Sequence, residues 1–209
     1  MTYTIWDIET APLPLSEVIM PEFEASKVLK DPEKIQADID KQKKAWESKL
    51  ALSPMTGHIL AIGYSTVSDE GGGELVQLVD QKTMSEGELI QDFFKRIEIG
   101  SFIGFNTHSF DIPFIVKRAW HHNLKVPKQL LGRYMPETQI DLMKIWLMGS
   151  YDKTGSSLNA IAQFFDLGSK EHTGEYYSQV FESDYEKARE YLINDLRLTY
   201  KVAQRIGVV

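Results

Sequence analysis

β-rich and helix-forming stretches alternate along this chain, and that alternation limits its possible folds more than any other feature. The opening TYTIWDIET is β-branched and aromatic, broken by acids, and stops at Pro12 and Pro14, so it reads as a strand. GHILAIGYSTV is apolar and β-rich, SDEGGG (68–73) reads as a turn, and ELVQLVD (74–80) alternates with period two. Together they predict a β-hairpin in the middle of a sheet. SEGELIQDFFKRI opens with a capping-box pattern, Ser85 with Glu88, and predicts a helix. SFIGFN is a short apolar strand closing on Asn106, and DIPFIVKRAWHHN is a helix whose Pro113 is tolerated only in its first turn. Further helices are expected over QIDLMKIWLMG, SLNAIAQFFDL and DYEKAREYLINDLRLTYKVAQRIG, the last capped by Ser183 and stopped by Gly207. Three strands, then helices alternating with another strand, predict an α/β layered domain with a mixed sheet.

Residues 15–53 have a different character. KDPEKIQADIDKQKKAWESKL is rich in helix formers, with Ile35, Ile39 and Trp46 as its apolar stripe, and predicts a mostly exposed amphipathic helix. The expectation is one domain over residues 1–209 with a helical insertion at 15–53. The 209 residues include no cysteine, which removes disulfide frameworks, thiolate metal sites and cysteine nucleophiles. A chain of this length buries about 70% of its unfolded surface and needs no such staple. The absence of cysteine is compatible with the reducing cytoplasm, which is the expected location. MTYTIWDIET lacks the basic and apolar regions of a signal peptide, and no stretch approaches the ~20 apolar residues of a membrane span. With 30 acids against 23 lysines and arginines, the net charge of −7 argues against nonspecific coating of duplex DNA. It leaves room for an enzyme that meets nucleic acid through a few contacts and bound metal ions.

The candidate chemistry lies in carboxylates. Asp7 and Glu9 are two apart in a strand, so both side chains leave one face. Two acids so placed repel unless they meet a cation, and hard oxygen ligands suit Mg²⁺ or Mn²⁺. Alone, the pair also fits the polar face of an edge strand. Asp111 sits between a strand and a helix, where it either caps the helix or aims a carboxylate at the strand's carboxyl end, the usual ligand side of α/β sheets. Asn106 could orient an acid, meet substrate or simply end the strand. Tyr191 and Asp195 lie four apart on one face of the last helix. Leu192, Ile193, Leu196 and Leu198 make Asp195's surroundings apolar, and a carboxylate in such company requires a charge partner.

Taken together, IWDIET, FIGFNTHSFDIPFI and YLINDLRLTYKV resemble the three motifs of the 3′–5′ exonucleases with four catalytic acids on a ribonuclease H-like fold. GHILAIGYS and GFNTHSFD are similar to the proofreading exonuclease domain of family B DNA polymerases, and the chain resembles a stand-alone relative of that domain. The likeness spans nearly the whole chain except the 15–53 insertion. It implies a mixed β-sheet flanked by helices, and a metal-dependent exonuclease acting on single-stranded nucleic acid with a free 3′ end, DNA favoured over RNA, without a membrane partner. The histidine subclass carries a His five residues before the last Asp, where this chain has Glu190. The tyrosine subclass carries a Tyr four before it, here Tyr191. The resemblance further implies two divalent ions, Mg²⁺ or Mn²⁺, with Asp7 shared between them. Glu9 and Asp195 would complete the site of the attacking water, Asp111 would support the second ion, and Tyr191 would position the water or assist its deprotonation.

Substrate contacts are expected from Asn106, Phe110 and Lys170, the last in the loop GSKEHTG; Phe114, Trp6 and Tyr151 are further stacking candidates. Aromatic residues at such positions also serve as core. His121 and His122 are adjacent, cannot share a helical face and read as surface residues. Asp141 reads as a capping or buried structural acid outside the catalytic set. Two other readings stand beside the exonuclease: a catalytically silent nucleic-acid-binding module, and a structure-selective endonuclease on the same fold.

Overall fold

The computed structural model describes residues 2–68, 75–98, 100–132, 136–170 and 176–209. Its strands are β1 (Thr2–Pro12), β2 (Gly57–Ser68), β3 (Leu75–Asp80), β4 (Ser101–Gly104) and β5 (Gln139–Asp141). They form one five-stranded sheet in the order β3-β2-β1-β4-β5. β2 and β3 pair antiparallel, whereas β1 with β4 and β4 with β5 pair parallel, so the sheet is mixed as expected. The turn expected at SDEGGG lies, from residue 69 onward, outside the described residues.

The helices are α1 (Pro32–Glu47), α2 (Glu86–Ile97), α3 (Asp111–His121), α4 (Leu142–Leu147), α5 (Leu158–Phe164), α6 (Tyr176–Val180) and α7 (Tyr185–Arg205). At α2 the Ser85 side chain accepts from the Glu88 N–H, and Glu88 reaches back to the Ser85 N–H at 2.8 Å, the anticipated capping box. Two expectations are corrected. QIDLMKIWLMG is not helical throughout: its first three residues form β5, pairing Phe102 with Gln139 and Gly104 with Asp141. A three-residue strand carries no periodicity, so only its neighbour identifies it. The N-cap of α7 is Asp184 rather than Ser183, its carboxylate accepting from the Lys187 N–H. Either residue type caps a helix, and the φ/ψ of the entering chain decides which one does.

By its contacts the chain divides into two compact units, residues 1–9 with 59–209, and residues 10–58. In the smaller unit α1 buries no residue completely, as its sparse apolar stripe predicts. Asp31 caps it, Phe23 packs edge-on against Trp46 at 5.9 Å, and Gln42 Nε2 donates to the Glu24 carbonyl at 2.9 Å.

The larger unit is built around Trp6, Ile8, Ile59, Ile62, Phe102 of β4 and the buried faces of α2 and α3, notably Phe93, Phe114 and Ile115. Trp6 and Phe93 lie 4.7 Å apart, centroid to centroid. Beneath α2 and α3, Glu86 is held in a buried cluster. Arg118 donates to both its carboxylate oxygens at 2.8 and 2.6 Å, the Ile59 N–H donates at 2.8 Å, and His122 Nε2 lies 2.7 Å away. His121 is exposed as expected, but His122 is half-buried through this contact.

Gly63 of β2 explains how α7 reaches the sheet. A Cβ there would lie 2.9 Å from both Leu192 Cγ and Leu196 Cδ1, so the missing side chain lets α7 approach closely. Burying Leu192 and Leu196 completely contributes about 2 kcal/mol each. Among the described residues no helix is long and apolar enough to cross a membrane.

Candidate active site

Three elements of the larger unit deliver carboxylates to one place. β1 contributes Asp7 and Glu9 from the same face, α7 contributes Asp195, and ligand oxygens of these three all lie within 4.8 Å of one another. α3 adds Asp111 at its first residue. Asp111 is not the N-cap: Phe110 holds that position without a side-chain cap bond. Instead the Asp111 carboxylate accepts from the Ile8 N–H at 3.3 Å and hydrogen-bonds the Asp7 side chain, tying α3 to β1.

The loop ahead of Asp111 is set by a residue outside the expected catalytic set. Asp141 caps α4 through the Met143 N–H and also accepts from the Asn106 N–H at 2.9 Å and the His108 N–H at 3.0 Å. Asn106 adopts a left-handed backbone, φ 63°, and its carbonyl accepts from the Phe110 N–H, closing the turn that leads into α3. At Gly104 a Cβ would stand 2.3 Å from Thr107 Cγ2, so the turn folds tightly back on β4. Asp141 is therefore the buried structural acid that the sequence suggested.

Asp195 has the charge partner its apolar neighbours required. Lys170 Nζ donates to its Oδ2, and Tyr191 hydrogen-bonds the same carboxylate. Lys170 is held in turn by its backbone N–H donating to Asn159 Oδ1 of α5 at 2.8 Å. Tyr176 and Tyr177 of α6 pack on Tyr191 at 5.7 and 6.5 Å between ring centroids. α6 was not anticipated, because five residues show too little helical period to read. The rest of the loop GSKEHTG, from residue 171, lies outside the described residues.

Asp7, Glu9, Asp111, Asp195 and Tyr191 thus converge with Lys170. Asn106 and Phe110 flank them in the loop before Asp111, Phe110 half-buried against Phe114 at 5.6 Å. Trp6 and Phe114 are core residues, 1% exposed each, and unavailable for stacking, whereas Tyr151 is fully exposed.

Electrostatically the cluster is overloaded with negative charge. Burial, then Asp195, pushes Asp7 up to about 7. Burial and the neighbouring acids push Glu9 and Asp111 well above the usual carboxylate range. Burial also raises Asp195, although Lys170 opposes it. For Lys170, burial would favour the neutral amine, but Asp195, Asp7 and Glu9 outweigh it and hold the ammonium more firmly charged than usual. Burial first, then Asp195, raises Tyr191, so its phenol stays neutral. Several carboxylates facing one ammonium leave the cluster short of positive charge. Hard oxygen ligands within a few ångströms fit divalent cations such as Mg²⁺ or Mn²⁺.

Residues 52–209 match the model of a family described as predicted 3′–5′ exonucleases related to the exonuclease domain of PolB. The matched span carries Asp111, Tyr191 and Asp195 and begins after Asp7 and Glu9, which reach the same cluster on β1. Among solved structures the chain is similar to the family B DNA polymerase from the hyperthermophilic archaeon Pyrobaculum calidifontis, with 15% identity and a TM-score of 0.59. That likeness covers 98% of this chain and 24% of the polymerase, so this chain spans about a quarter of the polymerase's length, and it concerns the fold. No curated protein matches the sequence.

Proposed function

The chain belongs to the predicted 3′–5′ exonucleases related to the exonuclease domain of PolB, and from that premise we propose a metal-dependent enzyme of the four-acid, tyrosine type. It removes nucleotides from the 3′ end of single-stranded nucleic acid, DNA in preference to RNA, and releases nucleoside 5′-monophosphates. The observation that carries this reading is the meeting of Asp7, Glu9 and Asp195 within 4.8 Å, with Asp111 bonded to Asp7.

Asp7, Glu9 and Asp195, together with Asp111 bonded to Asp7, would hold two divalent ions. When bound, these supply charge neutralisation for an in-line displacement at phosphorus and a more acidic water. The chain's own groups do the positioning that phosphoryl transfer mainly demands. Tyr191, bonded to Asp195, would position a water or assist its deprotonation. Lys170 fixes the rotamer of Asp195 and brings positive charge to where a phosphate would sit. Asn106 and Phe110, in the turn braced by Asp141, would contact the terminal nucleotide.

The test is hydrolysis of a 5′-labelled single-stranded DNA oligonucleotide with Mg²⁺ or Mn²⁺, beside its RNA counterpart and a 3′-blocked control. A ladder shortening from the 3′ end, abolished by EDTA and by the block, is the expected result. Absence of cleavage with folded protein and metal supplied would overturn the reading.

A further inference from the structure

Tyr177 of α6 carries a buried hydroxyl that the fold itself does not use. The residue is 1% exposed, and its ring is fixed by stacking on Phe181 at 5.6 Å and by a tilted contact with Tyr191 at 6.5 Å. Its Oη is buried and makes no hydrogen bond among the described residues. Such a hydroxyl loses its hydration without replacement, a cost that phenylalanine would avoid at the same ring position. Burial, then Glu9, raises its pKa, so the phenol stays protonated and remains a donor.

The surrounding groups decide which acceptor it serves. Glu9 acts on this hydroxyl most strongly, ahead of Asp80, Tyr185 and Arg189. The last three are already engaged with one another. Tyr185 Oη donates to Asp80 Oδ2, the Lys82 N–H donates to Asp80 Oδ1 at 3.0 Å, and Arg189 Nη1 reaches Tyr185 Oη at 3.5 Å. Glu9 differs: it is 6% exposed, and its carboxylate accepts no hydrogen bond among the described residues. The other acids of the cluster are each held, Asp7 by Asp111, Asp111 by the Ile8 N–H, and Asp195 by Lys170 and Tyr191. One region therefore contains a donor without an acceptor and a carboxylate without a donor. The Tyr177 ring lies against Tyr191, whose partner Asp195 offers an oxygen within 4.8 Å of one on Glu9.

We propose that Tyr177 is a positioning residue for Glu9, its hydroxyl donating to the Glu9 carboxylate through a single bridging water. This rests on the exonuclease reading and adds the residue that orients the acid left unheld by its neighbours. Buried waters occupy places of this kind, where they join polar groups that are otherwise unsatisfied. A ligating carboxylate keeps its orientation through such hydrogen bonds, and losing one typically costs about 10–100-fold in metal affinity or activity.

The experiment uses Tyr177→Phe, which keeps the ring on Phe181 and Tyr191 and removes only the oxygen. Mn²⁺ binding to the whole chain is counted from the electron paramagnetic resonance of the free ion, beside hydrolysis of a single-stranded DNA oligonucleotide. Mn²⁺ affinity and kcat should fall by about 10–100-fold. KM for the oligonucleotide and the melting temperature in EDTA should hold. On a Glu9→Gln background the further loss of Mn²⁺ affinity from Tyr177→Phe should largely vanish, because residues acting as one unit are not additive. Parental Mn²⁺ affinity in Tyr177→Phe, with or without a lower melting temperature, would overturn the proposal, as would a full additional loss on Glu9→Gln. A parent that binds Mn²⁺ but cuts nothing would overturn the exonuclease reading alone, and one that binds none would overturn both.

Discussion

Lys170 forms an ion pair with Asp195 inside the acidic cluster, its ammonium donating to Oδ2 while the Asp195 side chain is 4% exposed. This lysine supplies the one cationic head bonded to the cluster's carboxylates among the described residues, and so stabilises the metal-free fold. Lys170→Met should lower the melting temperature of metal-free protein and enlarge the gain on adding Mg²⁺ or Mn²⁺. Thermal melts with EDTA and with each metal measure both, and equal metal-induced gains in parent and variant would refute the electrostatic role.

Removing a carboxylate should have the opposite effect on stability. Asp7→Asn relieves repulsion while leaving the Lys170–Asp195 pair in place, so the metal-free protein should melt no lower than the parent. Hydrolysis should fall by more than the ~10–100-fold that disturbing an outer-shell partner of a metal typically costs. The metal-dependent thermal shift should fall too, since a ligand at about 100 times its Kd stabilises the fold by about 2.7 kcal/mol only where it binds. A variant with parental activity would remove that acid from the site.

The pH dependence of the metal-free fold follows from Asp7. Its carboxyl is raised from 3.8 to about 7 by burial and Asp195, so the folded state binds a proton that the unfolded chain has already released. Stability from this group is therefore greatest at low pH, is lost as pH rises from about 4 to about 7, and is level above that. Glu9 and Asp111, raised in the same direction, reinforce the trend. Melting curves in EDTA should show a fall from pH 5 to pH 8. Saturating Mg²⁺ should flatten it by favouring the ionised carboxylates.

Glu86 behaves in the reverse sense. Burial would raise its pKa, but Arg118, His122 and the Ile59 N–H together lower it, so its contribution is present above about 4.5 and lost on acidification. Arg118→Met leaves a buried carboxylate without its main partner and should destabilise the fold by about 3–5 kcal/mol. Chemical denaturation measures this, and a loss below about 1 kcal/mol, the worth of an exposed pair, would show that the cluster is not dry.

Gly63→Ala should push α7 away from β2, because the new Cβ meets Leu192 and Leu196 at 2.9 Å. Overpacking of this kind costs about 1–3 kcal/mol. Since Tyr191 and Asp195 ride on the same helix, kcat should fall along with stability. Full activity in the destabilised variant would separate the packing of α7 from the alignment of its acid.

The strands that carry their own alternation or length, β1, β2, β3 and β4, were legible in the sequence, as were α2, α3 and α7 through their periodicity and caps. So were Asp7 with Glu9, and Tyr191 with Asp195, because spacings of two on a strand and four on a helix place side chains on one face whatever the fold around them. The three residues of β5, the short α6 and the change of cap to Asp184 were not legible. The first two are settled by neighbours distant in sequence, β4 pairing with β5 and Tyr191 packing against α6, and the cap by the backbone angles of the chain entering α7. The identity of Asp195's partner is of the same kind: the apolar surroundings of Asp195 announced that a cation was needed, but Lys170 lies 25 residues away, and folding alone brings it there. The raised carboxylates are the clearest instance. Residue type sets an acid's chemistry locally, but desolvation and the fields of other acids exist only once β1, α3 and α7 are packed together.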